Sequence, residues 1–307
     1  MAGPDAVGPE AHAPDARQTL LQTRGLTKAF RGFVAVDAVD LDVREGTIHA
    51  LVGPNGAGKT TLFSLLTGFL HPSSGTITYA GADITGKQPE QIAHLGVARS
   101  FQITSLFDHM DLREHVELAL ASTSGIGKRW WVSTRRLDRF APRAMELLDQ
   151  VGLADRADEL AGALPYGQKR ALELAIALAL EPRLLLLDEP TAGLDPAGVH
   201  EMLAALERLR ASGTTVVLAT HDVDLALAWA DEAAVVADGQ VRQGPVAELL
   251  DDAELLVRAR LHRPWPLELA ARLGLPGRPR HLDEMAALLQ RSAQPHRPQP
   301  APTEEAP

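Results

Sequence analysis

Apolar residues in this chain change their spacing several times, and each change marks an element. Leu20 to Arg24 and Val34 to Val43 read as strands of a small antiparallel region. Ile48 to Val52 is a short apolar strand running into glycines. Lys59 to Leu70 then carries Leu62, Leu65, Leu66 and Phe69 on one helical face. Pro72-Ser73-Ser74-Gly75 predicts a turn, with a strand over Thr76 to Tyr79. From about Ile103 to Leu164 the pattern is helical and less regular, amphipathic over Leu112 to Ala121 and Pro142 to Val151. Strand and helix then alternate: Leu184 to Leu187, Pro196 to Leu209, Thr214 to Ala219, Val223 to Ala230, Ala233 to Ala237. This predicts a mostly parallel sheet with helices on its faces and an inserted helical subdomain. Asp238-Gly239 is a hairpin signal.

The flanks change the picture little. Met1 to Ala16 mixes Ala, Pro and Gly with acidic residues and lacks the basic start and apolar core of a signal peptide. The expected division is a disordered leader (1–18), a main domain (19–250) with its helical subdomain at about 103–165, a helical extension (251–290) and a Pro-rich disordered tail (291–307). Leu282, Met285, Leu288 and Leu289 predict a last helix covering the core. A net charge of -10 argues against nucleic acid as a main partner. The absence of cysteine excludes disulfides and thiolate metal sites. The most apolar stretch, Ala171 to Leu187, is broken by Glu173, Glu181, Pro182 and Arg183, so any membrane role is expected through a partner.

Candidate chemistry gathers at strand ends. Gly53-Pro54-Asn55-Gly56-Ala57-Gly58-Lys59-Thr60, with Thr61 after it, fits a phosphate-binding loop between a strand and a helix. Its glycines let backbone N–H groups approach phosphates, Lys59 reaches the β- and γ-phosphates of ATP, and the Thr60 hydroxyl binds Mg²⁺. Asp188, ending a leucine run, is placed to hold the magnesium through water, and Glu189 to orient or deprotonate the attacking water. An acidic pair at a strand end is weak evidence alone; downstream of a phosphate loop it gains weight. His221, past the next strand, would share that edge and touch the γ-phosphate, although a lone histidine is more often structural. Gln102, after the strand-like Val97 to Phe101, is a candidate sensor of magnesium or water. Phe30 is a candidate platform for adenine, against the commoner role of core aromatic.

These residues, with Leu164-Pro165-Tyr166-Gly167-Gln168, Gly193-Leu194-Asp195 and Thr220-His221-Asp222 in order, resemble the ATP-binding cassette ATPases of transporters over about Leu20 to Leu250. The resemblance implies an α/β fold: a P-loop NTPase mixed sheet core, a small antiparallel β region and an inserted α-helical subdomain. It also implies a cassette dimer in which each ATP lies between one subunit's phosphate loop and the other's signature, with Asp195 communicating across the interface. Gly25 to Thr104 and the pentad are similar to branched-chain amino acid (and amide) uptake ATPases. Thr220 to Leu225 and Leu261-His262-Arg263-Pro264-Trp265-Pro266 look instead like cobalt or nickel uptake ATPases of the energy-coupling-factor type. The first assignment is favoured, because the region after Gln102 meets the membrane subunit.

The implied partners are transmembrane permease subunits, a second cassette in a homo- or heterodimer, and, as an open case, an extracytoplasmic solute-binding protein. The implied location is the cytoplasmic face of the plasma membrane. The family's usual pentad is Leu-Ser-Gly-Gly-Gln. Pro165 and Tyr166 replace its serine and a glycine, and proline has neither hydroxyl nor N–H. The nucleotide site this pentad completes is therefore expected to be weakened, and the two sites of a dimer to be unequal where the partner is a different cassette with an unaltered signature. Lys128-Arg129-Trp130-Trp131 suits either membrane headgroups or packing within the subdomain, packing being the commoner role. The alternative of another class is a soluble cassette ATPase acting on ribosomes or DNA. Such proteins usually carry two cassettes or long coiled-coil insertions, and this chain shows one phosphate loop and neither insertion.

Overall fold

The computed structural model describes residues 18–99, 106–123 and 138–293. The described residues begin with β1 (Thr19–Phe30) and β2 (Phe33–Arg44), both longer than the sequence predicts. β3 (Ile48–Val52) runs through the glycine loop into α1 (Lys59–Leu66). β4 (Ser74–Tyr79), β5 (Ala82–Asp83), α2 (Pro89–His94) and β6 (Val97–Arg99) follow. The helical region holds α3 (Leu112–Thr123), α4 (Ala141–Gln150) and α5 (Tyr166–Leu178). Next come β7 (Leu184–Asp188), α6 (Pro196–Ala211), β8 (Thr215–Thr220), α7 (Val223–Trp229), β9 (Glu232–Ala237) and β10 (Gln240–Pro245). The chain then continues through α8 (Val246–Leu249), α9 (Ala253–Arg258), α10 (Trp265–Arg272) and α11 (Leu282–Ala293).

Among the described residues, the central sheet has the order β10-β9-β3-β8-β7-β6 and is parallel except for β9–β10. A second, antiparallel sheet has the order β2-β1-β4-β5. This is the α/β architecture the motifs imply. β7 shows why four leucines suit its place. Leu185 and Leu187 pack into the cluster formed with α5, α6 and the helical subdomain, while Leu184 and Leu186 join Phe63 and Leu66 of α1 on the other face. A strand covered on both faces has no polar side. β9 and β10 meet at Asp238 (φ +51°) and Gly239 (φ +79°), the paired positive φ of a type I′ hairpin.

Two expectations are corrected. α1 stops at Leu66 instead of Leu70, because Gly68 takes a left-handed conformation (φ +74°) close under the Lys87 carbonyl. Phe69 therefore lies beyond the helix and is 54% exposed instead of joining the buried face. α11 forms where predicted but buries Met285 alone of the four residues expected to cover the core; Leu282 is 68% exposed. Among the described residues, no helix is long and apolar enough to cross a membrane.

Candidate functional site

Three neighbouring strands, β3, β8 and β7, end at one edge of the sheet. Their register sets Val52 beside Thr220 and Asp188 beside Ala219, so the glycine loop, His221 and Glu189 emerge in a row. Parallel sheets place ligand chemistry at such carboxyl ends. The Gly53 amide donates to Thr220 O (3.2 Å) and the Ala57 amide to Pro54 O (3.2 Å), which curls the loop tightly. Gly58 begins the helix at φ +105°, where a Cβ would lie 2.4 Å from Ala35 O. Only glycine fits there. The first intrahelical bond runs from Leu62 N to Gly58 O. The amides before it, at Lys59, Thr60 and Thr61, have no intrahelical acceptor and suit an anion.

Lys59 is buried, and its Nζ donates to Gly53 O (2.6 Å) and Pro54 O (3.2 Å). The same Nζ lies 3.4 Å from Glu189 Oε1, and His221 Nδ1–H donates to Glu189 Oε2 at 3.0 Å. One carboxylate thus joins the lysine to the histidine. Glu189 is held at φ +47° while its amide donates to Ala219 O (2.8 Å). That left-handed conformation costs a non-glycine residue of order 1 kcal/mol, and such strain gathers at functional positions. His221 is 59% exposed and turns its free ring edge outward.

Asp188 is buried. Arg99, at the end of β6, donates through Nη2 to its Oδ2 (3.0 Å) and through Nη1 to Ser64 Oγ (3.1 Å), and lies over the Phe63 ring at 5.7 Å. Asp188 Oδ1 is buried with no hydrogen-bond partner among the described residues. A buried oxygen left without a donor fits a magnesium-bound water, and Thr60 lines the same cleft. The cleft holds about 240 Å³ and is walled by Phe33, Asn55, Lys59, Thr60, Thr61 and Glu189, among others. Phe33 is the aromatic that faces it, 62% exposed. Phe30 lies against Phe33 with ring centroids 5.5 Å apart and has Lys28 Nζ over its own ring at 5.4 Å.

The pentad occupies a separate corner, and none of it lines the cleft. Leu164 is buried and Pro165 is the residue before α5, so the amides of Tyr166, Gly167 and Gln168 head that helix; Lys169 N makes the first bond, to Pro165 O (3.0 Å). The Tyr166 ring packs on the backbone of Gly193, and the Arg170 guanidinium lies 5.4 Å from its centre. Gly167 abuts Gly198 of α6, and Gln168 accepts a hydrogen bond from Arg156. Asp195 caps α6, accepting from Gly198 N at 2.7 Å. Gln102 and the Lys128–Trp131 patch lie outside the described residues.

Sequence reasoning gave no role to Phe33 or Arg99. Phe33 sits beside the more conspicuous Phe30, and the Arg99–Asp188 pair joins strand ends far apart in the chain. The neighbouring positions of β6 and β7 in the sheet, invisible in the sequence pattern, are what bring them together.

The profile of the ABC transporter family matches residues 36–192. The chain is 39% identical over 278 residues to a Streptomyces coelicolor protein described as an ABC transporter ATP-binding protein, covering 88% of this chain and 95% of that one. It is 37% identical over 250 residues to the high-affinity branched-chain amino acid transport ATP-binding protein BraF of Pseudomonas aeruginosa, covering 79% and 97%. Its fold is similar to the crystal structure of an ATP-binding cassette of an ABC transporter in the ADP conformation, with a TM-score of 0.70 and 28% identity over 78% of this chain and 98% of that one.

Proposed function

This chain belongs to the ABC transporter family and is an ATPase, and from that membership we propose that it powers uptake of branched-chain amino acids or related amides through a separate membrane permease. The observation that carries the hydrolytic part is the line Lys59–Glu189–His221 beside the glycine loop. The likeness to BraF supports the amino-acid substrate over the metal-uptake reading of the C-terminal segment.

Lys59 leaves the loop carbonyls and binds the β- and γ-phosphates of ATP, while the amides at the head of α1 hold the remaining phosphate oxygens. Glu189 orients the attacking water and accepts its proton; His221 steadies the carboxylate and presents its outer nitrogen to the γ-phosphate. Thr60 and Asp188 would hold Mg²⁺, which neutralises phosphate charge when bound. Phe33, backed by Phe30, offers an aromatic face to the base. In a dimer, the amides of Tyr166, Gly167 and Gln168 complete the partner's nucleotide site. Pro165 supplies no hydroxyl there, and a lost hydrogen bond to a charged group is worth about 1.5–3 kcal/mol. A partner cassette with an intact signature would make the two sites unequal, this chain's own ATP being the faster. The chain then sits on the cytoplasmic face of the plasma membrane, held there by its permease.

The test is reconstitution of the chain with the permease subunits that co-purify with it, in proteoliposomes, with any co-purifying solute-binding protein. Leucine, isoleucine, valine or a short amide should stimulate ATP hydrolysis. Stimulation by Co²⁺ or Ni²⁺ in their place would overturn the substrate assignment.

A further inference from the structure

A second cavity, of about 310 Å³, adjoins the phosphate cleft and shares Phe33, Ala35 and Pro54 to Gly56 with it. Arg258, Ala259 and Arg260, at the end of α9, also line it. Small-molecule sites run to about 300–1,000 Å³. The phosphate cleft alone falls short of that range, and the two together fall within it.

Both arginines are exposed, and among the described residues neither makes an ion pair or side-chain hydrogen bond. Other arginines of the C-terminal segment are engaged: Arg263 and Arg278 pair with Asp251, and Arg280 binds backbone carbonyls. Arg260 is also placed against its own preference. Arg260 N donates to Val257 O (3.1 Å) and Leu261 N to Leu256 O (2.9 Å), closing α9 in a Schellman motif. Arg260 therefore holds the left-handed position (φ +53°) that glycine fills with less strain. An arginine kept at such a position points to work for its side chain.

Resting on the nucleotide site proposed above, we infer that this cavity receives the base-and-ribose end of ATP, and that Arg258 and Arg260 bind it. A guanidinium plane stacks on a purine as it does on an aromatic ring, and its N–H groups donate to ribose hydroxyls and ring nitrogens. The nucleotide would then bridge the glycine loop and the C-terminal segment.

The experiment titrates the full-length chain, by calorimetry with Mg²⁺ present, with ATP and separately with inorganic triphosphate, which lacks base and ribose. The variants are Arg258→Gln, Arg260→Gly and the two combined. Arg260→Gly removes the side chain while easing the backbone, so its melting temperature should hold or rise. The combined variant should bind ATP about tenfold more weakly and keep triphosphate affinity within twofold. An equal loss for both ligands would show action through general charge on the phosphates and overturn the inference. Unchanged ATP affinity would overturn it too. If the unaltered chain binds neither ligand, or Lys59→Ala binds both as well as it does, the phosphate site itself is wrong and the inference falls with it.

Discussion

Lys59 Nζ stands 3.4 Å from Glu189 Oε1 while donating to the carbonyls of Gly53 and Pro54. The lysine charge is thus already matched from within the chain, and a phosphate must displace those partners to bind. A charged hydrogen bond is worth about 1.5–3 kcal/mol, or roughly 10- to 150-fold in affinity. Lys59→Ala should weaken ATP binding by that factor in equilibrium titration.

Glu189→Gln keeps the shape of the side chain and its reach to His221 but removes the proton acceptor. General-base catalysis contributes about 10²–10⁴-fold. Phosphate release at this chain's own nucleotide site should fall at least a hundredfold, while ATP affinity holds or rises because Lys59 loses a competing carboxylate. Retention of more than half the activity in the assembled transporter would sink the assignment.

Arg99→Met tests the buried pair at the ends of β6 and β7. Removing one partner strands the Asp188 carboxylate in the core, which costs about 3–5 kcal/mol. Chemical denaturation should show that loss. Asp188→Asn, made in the Arg99→Met background, should recover part of it.

His49 lies inside β3, accepting from Arg44 N through Nε2 (3.1 Å), with Nδ1 3.8 Å from Glu232. Burial lowers its pKa to about 4; Glu232 opposes the shift and Arg44 adds to it. An unfolded histidine titrates near 6.5. Its neutral form therefore stabilises the fold fully above about pH 6.5. That contribution is lost as pH falls from there to about 4, in total on the order of 3 kcal/mol. Urea titrations between pH 7 and pH 4 should show His49→Gln with a flatter slope than the unaltered chain.

Pro165→Ser restores a hydroxyl at the head of α5 without disturbing Tyr166 on Gly193. In the assembled transporter it should raise hydrolysis about tenfold at the nucleotide site this pentad completes, the equivalent of one charged hydrogen bond at the lower end of its range; total turnover then rises about tenfold in a homodimer and about twofold beside a partner with an intact signature. Unchanged turnover would mean that the Tyr166–Gln168 amides suffice.

The elements that place the chemistry were readable because burial leaves a period. Leu184 to Leu187 is a continuous apolar run, and Ile48 to Val52 is apolar but for His49; such runs mark strands covered on both faces. The glycine loop and Asp238-Gly239 were readable because their backbone demands particular residues. Contacts between distant segments were not. Phe33 gains its place only where β2, the β9–β10 hairpin and the end of α9 converge. The length of α1 was misjudged because Leu70 continues the helical period, whereas Gly68 turns the chain beneath Lys87. In α11 the apolar spacing is real, yet only Met285 has a core to enter.

The seven residues of α7 join the hydrolytic edge to the C-terminal segment. Asp222, next to His221, accepts from Asp224 N and Leu225 N at the helix start, and Trp265 N donates to Asp224 Oδ1 (2.8 Å). At the other end Arg280 donates to Leu227 O (2.8 Å) and Ala230 O. Clamped at both tips, this helix is a stiff rod of about 10 Å. The residue that precedes the rod is Asp222, next to His221, so the histidine and the C-terminal segment are fastened to the same short helix.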